Sequence, residues 1–181
     1  GYSAGSLNDL DTACTFIGTD ADQGVTTNFY NSMALGHLSR IIENNYIAIG
    51  NTGIKKIQGQ VNFTTFSDGR FKKEVKENVP GLSFINKLKA VTYKLDVSGI
   101  SKVLHEDITD GDDNSEAKKA TEKLMDKARK EKEKITYTGF IAQDVEKASK
   151  ELNYDFSGVD IPANKHESYG LRYAEFVVPL V

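Results

Sequence analysis

Ser67 and Lys72 lie five residues apart in the stretch Phe66-Ser67-Asp68-Gly69-Arg70-Phe71-Lys72. A Gly/Asn/Thr-rich segment precedes it, and a mixed pattern with ordinary charge follows. A serine and a lysine at such a boundary mark a junction open to being cut, but this spacing also recurs by chance. The other residue types that could do chemistry are scattered. Cys14 is the only cysteine and reads as a small buried apolar residue. His37 falls in a repeat turn, with no partner of metal-ligand type at useful spacing, and His105 and His166 sit in polar, loop-like surroundings. Asp110, Asp112 and Asn114 alternate as calcium ligands would, but the loop lacks the glutamate that closes such a site. No phosphate-binding loop and no Cys/His pair at useful spacing is present, so the reading calls for no metal and no cofactor.

The chain has 181 residues, a net charge of −3 and a pI near 5.7. That is room for one domain, or for a small domain with an extension. No basic field exists to recruit nucleic acid or an anionic membrane. No apolar run approaches the roughly 20 residues of a membrane helix, and no signal peptide is read at the start.

Residues 1–66 carry a repeat. Phe16-Ile17-Gly18-Thr19, Ala34-Leu35-Gly36-His37 and Ala48-Ile49-Gly50-Asn51 each read as a brief strand ended by a turn glycine. The glycines fall 18 and then 14 residues apart, with Asp and Asn turn formers between them. This phrasing resembles the left-handed β-roll of trimeric adhesin heads. So few rungs bury too little apolar surface for a monomer, and three chains side by side would supply the missing core. Ile54 to Phe66 alternates as a connecting strand.

Residues 67–181 read as a mixed α/β domain. Ser67-Asp68 is placed to cap a helical turn, the serine accepting from a backbone N–H two or three residues on. A short helix follows Pro80-Gly81, with Leu82, Ile85 and Leu88 on its apolar side. Strands are expected over Ala90 to Leu95, Ile135 to Ile141 and Tyr169 to Tyr173, and helices over Ala142 to Ala148 and Ala174 to Val181. An insertion over about 97–134 ends in a charged helix capped by Ser115, read as a solvated arm that packs lightly through Ala120, Leu124, Met125 and Ala128. The fold class is therefore α+β: an N-terminal β-roll or β-solenoid segment forming a trimeric stalk, then a mixed α/β domain with a charged helical insertion.

Three phrases in order carry a more specific resemblance: Ser67-Asp68-Gly69-Arg70-Phe71-Lys72, Gly139-Phe140-Ile141-Ala142-Gln143-Asp144-Val145-Glu146, and Leu171 to Leu180. Together they resemble the C-terminal intramolecular chaperone domain of the endosialidase type, the S74 peptidase family of tail spikes and tail fibres. That resemblance implies a homotrimer that assembles the upstream fibre segment of the same polypeptide and then cuts itself free. Ser67 would be the nucleophile and Lys72 the general base, with Lys73 and Lys76 as rival bases. Phe66, Asp68 and Arg70 would neighbour the scissile bond, Asp68 orienting the junction and Arg70 steering a carboxylate or polarising the carbonyl. The family pattern favours cutting Ser67–Asp68. The upstream Phe66–Ser67 bond is open to attack through a five-membered ring. Family members continue past Val-Val-Pro-Leu-Val into a long helix about the threefold axis, whereas this sequence ends at Val181. The resemblance implies a phage virion or a bacterial surface as location. A non-cleaving structural tip of a fibre or adhesin is the alternative, and activity on external substrates is not expected.

Overall fold

A computed structural model describes residues 1–7, 11–24, 27–107, 116–164 and 167–181. The acidic loop at Asp110, Asp112 and Asn114, the Ser115 cap and His166 lie outside the described residues. The described chain is α+β, with five short or medium helices and small sheets. It packs as two units, one of Gly1–Lys55, Tyr93–Tyr137 and Asn164–Glu167, the other of Lys56–Thr92, Thr138–Ala163 and Ser168–Val181.

In the first unit the repeat phrases become parallel rungs. Strands β1 (Thr15–Ile17), β2 (Asp22–Gln23), β3 (Met33–Leu35), β4 (Arg40–Ile41) and β5 (Ile47–Ile49) form two ladders, β1-β3-β5 and β2-β4. Thr15 pairs with Met33 and Met33 with Ile47, so the sequence spacings of 18 and 14 are the ladder registers. Side chains repeat the same offset: Tyr30 N–H donates to Asn44, Asn31 to Asn45, and Asn51 to the His37 carbonyl. Ala21, Phe29, Ala34 and Ile41 form the core, with Cys14, Phe16 and Tyr46 against it. Cys14 is thus half-buried, its thiol directed at the Phe29 carbonyl.

The turn glycines stack. A Cβ built on Gly18 (φ 133°) would lie 2.5 Å from the Gly36 carbonyl carbon, and one on Gly36 (φ 116°) would lie 3.3 Å from the Gly50 Cα. Gly is needed here twice over, for the positive φ and for the backbone approach. Outside the core the strands present apolar residues where polar ones would be usual. Ile17, Leu35, Ile47 and Ile49 are 39–62% exposed.

The strand expected over Ile54 to Phe66 does not form. This stretch has no ladder partner, and Val61, Phe63 and Phe66 are 85, 94 and 78% exposed. An alternating sequence becomes a strand only when another strand takes its backbone groups, and among the described residues none does.

In the second unit α1 (Leu82–Ile85) is a single turn, and of the three residues expected on its apolar side Ile85 and Leu88 pack against the core while Leu82 does not. Phe84 rather than Leu82 enters the core, Leu82 remaining 62% exposed. Strand β6 (Val91–Tyr93) returns the chain to the first unit, where α2 (Val97–Val103), a helix without a sequence expectation, is capped by Asp96 accepting the Gly99 N–H. The charged helix α3 (Glu116–Glu133) follows in the first unit, and strand β7 (Tyr137–Gly139), pairing with β6, leads back to the second. Helix α4 (Ala142–Glu151), the antiparallel pair β8 (Val159–Asp160) and β9 (Gly170–Leu171), a 3-10 turn at Tyr173–Phe176 and α5 (Val177–Leu180) complete the chain. Phe84, Val145, Ala148, Phe156 and Phe176 form the core of the second unit. Phe84 and Phe156 meet with ring centroids 4.9 Å apart, as do Phe156 and Phe176.

Candidate functional site

The junction is a single 3-10 turn, Gly69–Phe71. Asp68, extended at φ −74° and ψ 126°, takes the N-cap place and accepts the Arg70 N–H at 2.9 Å. The capping role expected of the Ser67 hydroxyl thus belongs to the Asp68 carboxylate one residue on. Phe71 N–H donates to the Asp68 carbonyl and Lys72 N–H to that of Gly69, closing the turn.

The turn folds Lys72 back over Ser67. Lys72 Nζ donates to Ser67 Oγ at 3.0 Å, and among the described residues neither Lys73 nor Lys76 hydrogen-bonds to Ser67. Both members of the pair are exposed.

Asp68 and Arg70 form a forked ion pair, Arg70 Nη2 to Asp68 Oδ2 at 2.6 Å and Arg70 Nε to Asp68 Oδ1 at 3.1 Å. The Arg70 guanidinium, and secondarily its backbone N–H, hold the Asp68 carboxyl below the ordinary carboxylate range, and Asp68 in return raises Arg70. Arg70, expected to steer a carboxylate, already holds that of its neighbour. Phe66 and Phe71 bracket the turn with ring centroids 5.3 Å apart, and the guanidinium carbon of Arg70 lies 5.7 Å from the Phe71 centroid. The part played by Phe71 was missed in the sequence, where the two phenylalanines flanking the turn were its signal.

The arrangement places a hydroxyl, an amine and two peptide bonds on one short turn, with an aromatic clip across its base. Among the described residues no group of His, Cys, Asp and Glu could hold a metal ion, and no helix is long and apolar enough to cross a membrane.

The paired serine and amine stand at the residue where a match to a known family begins. Residues 67–154 match the family model Peptidase_S74, chaperone of endosialidase, and this part of the chain is a domain of that family. Searches of curated proteins and of solved structures each found no match.

Proposed function

We propose that the chain is the trimerisation chaperone of a phage-type or bacterial surface fibre, which assembles the β-structure upstream and then cuts itself at Ser67. In this reading residues 1–66 are the end of the fibre, a β-roll in a trimeric stalk, and residues 67–181 are the chaperone. The observation that carries it is the 3.0 Å contact between Lys72 Nζ and Ser67 Oγ at the residue where the family match begins.

In the upstream route the Lys72 amine, once neutral, takes the Ser67 hydroxyl proton. Oγ then attacks the Phe66 carbonyl carbon through a five-membered ring, the Phe66–Ser67 C–N bond breaks, and an ester forms with a free Ser67 amine. Water hydrolyses that ester. Cutting Ser67–Asp68 instead would need water or a hydroxyl from a neighbouring chain, because Oγ can reach its own carbonyl only through a four-membered ring.

A lysine becomes a competent base when burial favours its neutral form. Lys72 is exposed in a single chain. Trimer formation would supply the missing cover, and the exposed apolar run through Val61, Phe63, Phe66, Phe71 and Val75, each 66–94% exposed, supports it. Cleavage would then follow assembly.

The exposure of the pair also supports a second reading, a structural tip that trimerises and does not cut. The intact mass of freshly purified protein under denaturing conditions decides between them. Fragments that appear in the wild type and vanish in Ser67→Ala establish self-cleavage, and their masses place the bond. A single uncut mass, stable over days, establishes the tip.

A further inference from the structure

Glu106, just after α2, is 3% exposed, a degree of burial that carboxylates rarely show unless they are paired. Its carboxylate accepts the Thr52 N–H at 2.7 Å, the Thr52 hydroxyl, and Arg129 Nη2 of α3 at 3.0 Å. Arg129 Nε donates to the Thr52 hydroxyl oxygen at 3.1 Å. Nearly one turn on, Lys132 Nζ donates to the carbonyls of Thr52 at 3.0 Å and Ile54 at 2.9 Å. Every polar atom of Thr52 is therefore held by a side chain of the insertion. Arg40 of β4, 4% exposed, donates to the His105 carbonyl at 3.2 Å. Gly53 lies close to α3, a Cβ there being 3.2 Å from Met125 Cε and 3.6 Å from Ala128 Cβ. Helix α3 itself buries no residue, and Leu124 is 67% exposed, so charged groups rather than an apolar stripe dock it.

Thr52 lies just past β5, where the parallel ladder ends. We infer that Glu106, Arg129 and Lys132 form a clamp on the end of the parallel coil, and that this clamp keeps residues 1–55 attached after the main chain is broken near Ser67. None of these bonds runs through residues 56–66, which have no ladder partner, so a break there leaves the clamp intact. Cutting and release become separate events, and release must open the buried Glu106–Arg129 pair. The inference deepens the proposed function and rests on it only for the position of the natural break.

The test makes the break independently of the Ser67 chemistry. In a Ser67→Ala chain a site-specific protease recognition sequence is inserted after Gln60, the protein is cut, and the two pieces are run on gel filtration at micromolar concentration without denaturant. The expected result is co-elution of the pieces, and separation once Arg129→Met is added while far-UV circular dichroism keeps its helical signal. Losing one partner of a buried charge pair should weaken retention by roughly 100-fold or more. Should Arg129→Met lose its helical signal, Lys132→Met replaces it, with an expected weakening of about 10-fold from two lost charge-assisted hydrogen bonds. Separation of the pieces without any clamp substitution overturns the inference. So does undiminished retention in the folded clamp variant.

Discussion

Lys72 Nζ donates to Ser67 Oγ, whereas a general base must accept from it. In the proposed self-cleavage the bond has to reverse before the serine can attack, which would make the acceptor capacity of residue 72 the decisive property. Lys72→Arg keeps a donor at this place but cannot accept, since guanidinium stays protonated. Self-cleavage in Lys72→Arg should fall by at least ~100-fold, the usual scale of general-base catalysis. Lys73→Ala and Lys76→Ala should cut at the wild-type rate. A time course of intact mass reads all three, and wild-type cutting by Lys72→Arg would remove Lys72 from the chemistry.

The Asp68 cap sets a pH limit on the turn. Its carboxyl is lowered in the folded chain by the Arg70 guanidinium first and the Arg70 N–H second, so the charged form is the one that stabilises. That contribution is fully present above the free carboxylate value of about 3.9 and is lost as pH falls through the lowered folded value. A carbon-detected titration of Asp68 should show its midpoint rising toward the ordinary range in Arg70→Ala. An unchanged midpoint would mean that the fork is not populated in solution.

The stacked turn glycines predict an intolerant position. In Gly18→Ala the new methyl would point at backbone of the next rung, 2.5 Å from the Gly36 carbonyl carbon, at a φ that alanine rarely adopts. Strain of roughly 1–3 kcal/mol is expected from the conformation alone. Hydrogen exchange should quicken at the amides of Thr15, Met33 and Gly36, which sit in the ladder. Unchanged protection there would argue against the column.

Phe84 and Leu82 separate the two faces of α1. Phe84→Ala empties a fully buried site among Tyr154 and Phe156 and should cost about 3–5 kcal/mol. Leu82→Ala, at a site 62% exposed, should fall within about 0.5 kcal/mol. Thermal unfolding of the two variants checks the contrast, and equal losses would contradict the packing.

The rungs were legible because Gly18, Gly36 and Gly50 punctuate the sequence at the intervals that become ladder registers. The junction was legible from its residue types, and the turn that brings Lys72 onto Ser67 follows from the Asp68 cap. Leu82 misled, because an i, i+3, i+6 pattern presumes a helix longer than one turn. The connecting strand misled for a different reason. Alternation from Ile54 to Phe66 records which faces are apolar but not which chain supplies the partner. The clamp was illegible, since Thr52, Glu106 and Arg129 are up to 77 residues apart and carry no shared period.

The glycine column also provides a measure of height. Successive parallel strands are spaced about 4.8 Å along a ladder, so Gly18, Gly36 and Gly50 are graduations on a ruler whose zero is Thr52. In the proposed trimer, three chains whose zeros were fixed by identical clamps would begin level, and the rungs at Gly50, Gly36 and Gly18 would inherit that level. A chain that slipped by one rung would be offset by a whole graduation, with every outward Ile and Leu facing the wrong layer of its neighbours. Such a ruler turns a problem of aligning long chains into one of aligning their last few residues.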